Sequence, residues 1–173
     1  MAPWVSFETA WPSTKLNIHK DIDALVTVHT WSQAYLNGRS SDPYTEAVLA
    51  PEGWWDNAKV EHVLVVAGAD EILVDPIGVW VTKFRVRLSR QFQLKRLMIA
   101  QMANPNITFE IGKHECHIAP LIWPLFGDTR ETEQGRAIKD WMKAKLCMSQ
   151  DLPSDRTPDA SSDVDAAVPL PLQ

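Results

Sequence analysis

The chain is 173 residues long and 45% hydrophobic, enough for one domain with a core and too apolar to be disordered throughout. Its net charge of −5 provides no basic field to hold nucleic acid or an anionic membrane. Cys116 and Cys147 make no disulfide framework, residues 1–7 lack a basic-then-apolar leader, and no run reaches ~18 apolar residues, so a soluble cytoplasmic protein without a transmembrane segment is expected.

Residues 4–7 read as a short extended piece and residues 8–17 as a polar, proline-containing loop. Over residues 20–36, Ile22, Leu25, Val26, Trp31 and Tyr35 fall near helical spacing, and Gly38 stands where a helix would stop. Pro43, Pro51 and Gly53 mark residues 39–57 as loop. His62–Gly68 (HVLVVAG) is a continuous, largely β-branched run, the pattern of a strand buried on both faces of a parallel sheet. Asp75-Pro76 then supplies an N-cap and a first-turn proline for a helix with Ile77, Trp80, Val81 and Phe84 on one face. After the Asn104-Pro105 turn signal, residues 107–111 (ITFEI) read as a second buried strand. A loop holding His114, Cys116 and His117 follows, then an amphipathic helix over residues 134–146 through Ile138, Trp141, Met142 and Leu146. Residues 149–173 carry five Asp against Arg156 alone and are expected to be a disordered acidic tail.

This alternation predicts an α/β fold whose two strands are joined in parallel by a right-handed crossover. Functional residues in such sheets gather at the carboxyl ends of strands, which here means Asp70 after the first and His117 after the second. Taken singly, an Asp in such a loop usually bonds nearby amides or water, and a histidine there is often a packed polar group. Their joint placement, acid then histidine, points to chemistry: a carboxylate fixes the imidazole tautomer and stabilises the imidazolium formed when the histidine takes a proton. His114, Cys116 and His117 do not match structural-zinc spacing, and no metal or cofactor is expected. Cys116 reads as a packed loop residue rather than a nucleophile. Trp31, Trp80 and Trp141 read as core, whereas Trp54, Trp55 and Trp123 are candidates to line an acyl pocket.

Residues 63–76 (VLVVAGADEILVDP) and 115–128 (ECHIAPLIWPLFGD), with residues 4–7 behind Pro3, resemble the C-terminal half of hormone-sensitive-lipase-like α/β-hydrolases. The nearest likeness is to fungal esterases of the steryl acetyl hydrolase type. The resemblance implies the C-terminal portion of an α/β-hydrolase fold over residues 1–148, a partial parallel sheet with flanking helices. It also implies Asp70 as triad acid, His117 as triad base, and Asp75 as the second acid of the acid loop. Val74 stands where the family often has Arg. The nucleophile elbow G-x-S-x-G and a His-Gly-Gly oxyanion run are both absent from this sequence; Gly38-Arg39-Ser40-Ser41-Asp42 lacks the second glycine and follows a helix. Family members carry both features upstream of the matching segment, so Met1 is expected to be a start inside a longer ancestral frame. The expectation is thus a truncated relative of carboxylic-ester hydrolases, inactive alone, whose complete form takes small hydrophobic esters. The alternatives are a non-catalytic binding protein built on the remnant and a non-functional gene fragment.

The stretch 85–102 interrupts the resemblance. It carries Arg85, Arg87, Arg90, Lys95 and Arg96 with no acid, and it makes the crossover too long for one helix to match the strands. A basic protrusion for a membrane surface or a partner is one reading. A read-through intron is the simpler one: valine codons begin with GT and a glutamine codon is CAG, so Val86 and Gln101 fit its two ends.

Overall fold

The computed structural model of the chain describes residues 3–51, 54–55, 58–60, 62–95 and 106–150. Strands β1 (His62–Gly68) and β2 (Asn106–Gly112) pair in parallel, with Val63 beside Ile107 and Gly68 beside Gly112. A parallel pair cannot be closed by a hairpin, and helix α3 (Val74–Lys95) makes the crossover. The architecture is mixed α/β around this small two-stranded sheet, with helices α1 (Pro12–Asn17), α2 (Leu25–Leu36), α4 (Ala119–Ile122) and α5 (Glu133–Gln150) around it.

The period of two along each strand explains why both faces are covered. Val65, Ala67 and Ile107 join Ile77, Val81 and Phe84 of α3 in one buried cluster. Burying each of those three α3 side chains contributes about 1.5–3 kcal/mol. The alternate residues Leu64, Thr108 and Glu110, together with Ala137 and Trp141 of α5, line an open cavity of about 480 Å³. Trp55, Trp80 and Phe84 extend the α3 side as an aromatic cluster with ring centroids 5.6 to 6.2 Å apart.

The N-terminal part departs from its sequence reading. Residues 12–17, expected as loop, form α1, for which Pro12 supplies a ready-made first-turn backbone. The helix expected from residue 20 begins only at Leu25, and it ends at Asn37, whose left-handed backbone (φ 47°) returns an N–H to the Gln33 carbonyl. Trp31 is not core: it is 58% exposed, because α2 turns Val28 and Ser32 inward instead. Residues 4–7 join no ladder, although Val5 is buried and its carbonyl accepts the Val48 N–H at 3.1 Å. In α5, Met142 and Leu146 are exposed and Trp141 is half-buried. That helix runs on to Gln150, past the point where the acidic tail was expected to begin.

Within the basic stretch, α3 continues as helix to Lys95. Its 22 residues span about 33 Å at ~1.5 Å per residue, against roughly 23 Å for a seven-residue strand, so the overshoot expected from the crossover length is present. Residues 96–102 and the tail 151–173 lie outside the described residues. Among the described residues, no helix is long and apolar enough to cross a membrane.

Candidate functional site

Both strands of the sheet end in glycine, and each then releases a loop. After β1, Gly68 starts a tight turn in which the Glu71 N–H reaches the Gly68 carbonyl at 3.3 Å and the Gly68 N–H donates to Glu71 Oε2 at 3.0 Å. This turn throws Asp70 outward and drives Glu71 fully inside, with 0% exposure. After β2, the loop 113–118 runs back across the first: the Ala69 N–H donates to Gly112 O at 2.8 Å and the Asp70 N–H to Glu115 O at 3.0 Å. The approach is so close that a Cβ on Gly68 would collide with the backbone carbonyls of Glu115 and Cys116. Only glycine permits it.

The histidine loop is fixed at several points. The buried Glu115 carboxylate accepts the N–H groups of Glu133 and Gln134, two of the free donors at the start of α5. Gln134 returns its side-chain amide to the Cys116 carbonyl at 3.0 Å. His114 and Ile118 both adopt positive φ, 56° and 45°. For a β-branched residue such as Ile118 this is strained, by about 1–2 kcal/mol. The strain is sustained by the first turn of α4, where Leu121 and Ile122 N–H groups reach the Ile118 carbonyl.

Those constraints put His117 beside Glu71. His117 Nδ1 lies 3.5 Å from Glu71 Oε2, with the imidazole side chain 17% exposed. The separation is wider than a formed hydrogen bond, and His117 Nδ1 and Glu71 Oε1 are both buried without a hydrogen-bond partner. Burial disfavours the imidazolium, but the hydrogen-bonding reach and charge of Glu71, then the charges of Asp23 and Asp21, outweigh it and raise the His117 pKa above its ordinary value. Burial also pushes the Glu71 carboxyl up, only partly opposed by His117 and the Gly68 amide. Half-buried Asp23 is raised by its own desolvation, with His117 pulling the other way. All three groups thus bind a proton more readily than they would in water.

No family model, curated protein or solved structure matches this chain. The site rests on its own geometry.

That geometry does not bring together the pair Asp70 and His117 expected from the order of the motifs. Asp70 Oδ1 takes Lys20 Nζ at 3.0 Å, and its Oδ2 is 3.9 Å from Nδ1 of His114, which is 93% exposed. The acid at His117 is Glu71. The physical reason is the turn at Gly68, which sends adjacent residues to opposite sides of the loop. A sequence cue was present, since Glu71 leads directly into the buried pair Ile72-Leu73 and Asp70 does not. Asp75 spans α1 and α3: its Oδ2 accepts the Ser13 N–H at 2.7 Å, and its own N–H meets Ser13 Oγ at 3.3 Å.

The other candidates separate in the same way. His114 and His117 face different carboxylates, and among the described residues no group of three His, Cys, Asp or Glu side chains is arranged to hold a metal. Burial raises the Cys116 thiol pKa, with an opposing hydrogen bond from Trp123, which suits a packed residue. Trp55 belongs to the α3 aromatic cluster, and Trp54 packs edge-on against Tyr44 with ring centroids 4.9 Å apart. Ser40 is exposed and lies beyond the end of α2, not on a strand-to-helix turn.

Proposed function

We propose that the chain is related to carboxylic-ester hydrolases of the α/β-hydrolase kind and carries the acid–histidine half of an ester-cleaving site, with Glu71 as the acid and His117 as the base. The observation that carries this reading is the fully buried Glu71 carboxylate facing His117 Nδ1 at 3.5 Å, on loops after two adjacent parallel strands. A carboxylate at Nδ1 favours the tautomer whose Nε2 is free to accept a proton. With a serine supplied, His117 Nε2 takes the hydroxyl proton as the ester carbonyl is attacked, then returns it to the leaving alcohol. Glu71 stays ionised through this exchange and stabilises the imidazolium. The 3.5 Å separation suits a resting site, since catalytic hydrogen bonds often tighten only when substrate is bound. Because the sequence contains no G-x-S-x-G elbow, the 173-residue chain is expected to give no stoichiometric labelling by a serine-reactive fluorophosphonate.

The test supplies what the sequence lacks. An extended chain in which an elbow-bearing α/β-hydrolase N-terminal half precedes Trp4 should cleave short acyl esters. In it, His117→Ala and Glu71→Gln should each lower kcat by ~10³–10⁴-fold, whereas Asp70→Asn and His114→Ala should cost less than about tenfold. Greater sensitivity to Asp70→Asn than to Glu71→Gln would overturn the choice of acid. An inactive extended chain that is folded would overturn the esterase reading.

A further inference from the structure

We infer that Asp21 is a positioning residue, clasping the loop that carries Glu71 to the loop that carries His117. This rests on the reading of Glu71 and His117 as the working pair. Asp21 lies between α1 and α2, far in sequence from both loops. Its Oδ2 accepts the N–H of Ile72, the residue after Glu71, at 2.8 Å. Its Oδ1 accepts the N–H of His117 at 2.9 Å and that of its own neighbour Ile22 at 2.8 Å. One carboxylate thus holds the backbones of the acid and the base at the same time.

The two halves of the clasp are not equally supported. The acid loop has other ties to residues 13–20: Asn17 Nδ2 donates to the carbonyls of Ala69 and Glu71, both at 3.0 Å, and Ser13 Oγ donates to the Ile72 carbonyl at 2.8 Å. Lys20 adds its ion pair with Asp70. The histidine loop has no such reserve: among the described residues, Asp21 makes the only hydrogen bond from the segment 12–24 to it. Losing Asp21 therefore leaves Glu71 in place and releases the His117 N–H itself, while Glu115 and Cys116 on its N-terminal side stay tied to the acid loop and to α5. An asparagine at this position keeps the size but not the function, since one of its two terminal atoms is a donor and would face an N–H.

The charged groups facing His117 are Glu71 from the acid loop and Asp21 and Asp23 from the segment before α2, so a change at Asp21 has two routes to the imidazole. Its own charge acts directly, and its clasp acts through Glu71. A double-mutant cycle on the full 173-residue chain separates them, reading the His117 pKa from imidazole NMR shifts. Asp21→Ala and Asp21→Asn should each lower that pKa by about one unit, and in a Glu71→Gln background the same changes should lower it by less than half as much. Amide exchange should quicken at His117 more than at Ile72. Equal shifts in both backgrounds would overturn the clasp, leaving Asp21 a remote charge. Unfolding of both Asp21 variants while Glu71→Gln remains folded would also overturn it, making Asp21 a structural residue. If Glu71→Gln itself leaves the His117 pKa unmoved, the pair reading is what fails.

Discussion

Gly68→Ala is the sharpest perturbation of the site that touches no charged group. A Cβ there would lie 2.6 Å from the Cys116 carbonyl oxygen and closer still to that of Glu115. Ordinary contact begins near 3.4 Å, so the Cys116 carbonyl must retreat by about 0.8 Å and that of Glu115 by more. Both obstacles are backbone, and no side-chain rotation relieves them. Retreat stretches the Asp70 N–H bond to Glu115 O and the Ala69 N–H bond to Gly112 O, now 3.0 and 2.8 Å. Overpacking costs about 1–3 kcal/mol and each of the two weakened bonds about 1 kcal/mol, giving a loss of roughly 3–5 kcal/mol. That is a large share of the ~5–15 kcal/mol that holds a domain together. Gly78 in α3 provides the control, because a Cβ there meets only Phe109 Cε1 at 4.0 Å. Gly78→Ala should stabilise by about 0.5–1 kcal/mol through helix propensity. Urea unfolding of the two variants beside the parent chain measures both, and the His117 imidazole shifts should move in Gly68→Ala alone. A Gly68→Ala chain with the parent's midpoint and unmoved shifts would refute the close approach of the two loops.

Two further outcomes follow from the titrating and thiol groups. Because His117 binds its proton more tightly folded than unfolded, the stability it contributes is complete below its ordinary pKa of 6.5 and is lost as pH rises through its higher folded value. Thermal midpoints should therefore fall from pH 6 to pH 8, and the fall should shrink in His117→Gln. Iodoacetamide at pH 8 should alkylate exposed Cys147 in the native chain and reach buried Cys116 only in denaturant, as mass spectrometry of the peptides would show.

Some elements were legible in the residues because their signals are local. A run as uniformly β-branched as His62–Gly68 has one stable use, a covered parallel strand, and Asp75-Pro76 marks the entry to α3 whatever surrounds it. The order of acid, crossover and histidine likewise located both loops at the correct ends of both strands. What the local pattern could not assign was direction within a turn. Asp70 and Glu71 are adjacent acids, and only the close passage of the histidine loop over Gly68 decides that the second points inward and the first meets Lys20. The N-terminal segment was misread for a related reason. Residues 8–17 are polar and read as a loop, although 12–17 form α1, because Ser13 and Asn17 spend their side chains on backbone groups more than fifty residues away. Trp31 shows the converse: its helical spacing promised burial, but α2 has one inward stripe, and the core had already been filled from α3. Hydrophobic period and turn chemistry act over a few residues and can be read in order. The pairing of His117 with Glu71 depends on three loops from separate parts of the chain, and only packing brings those together.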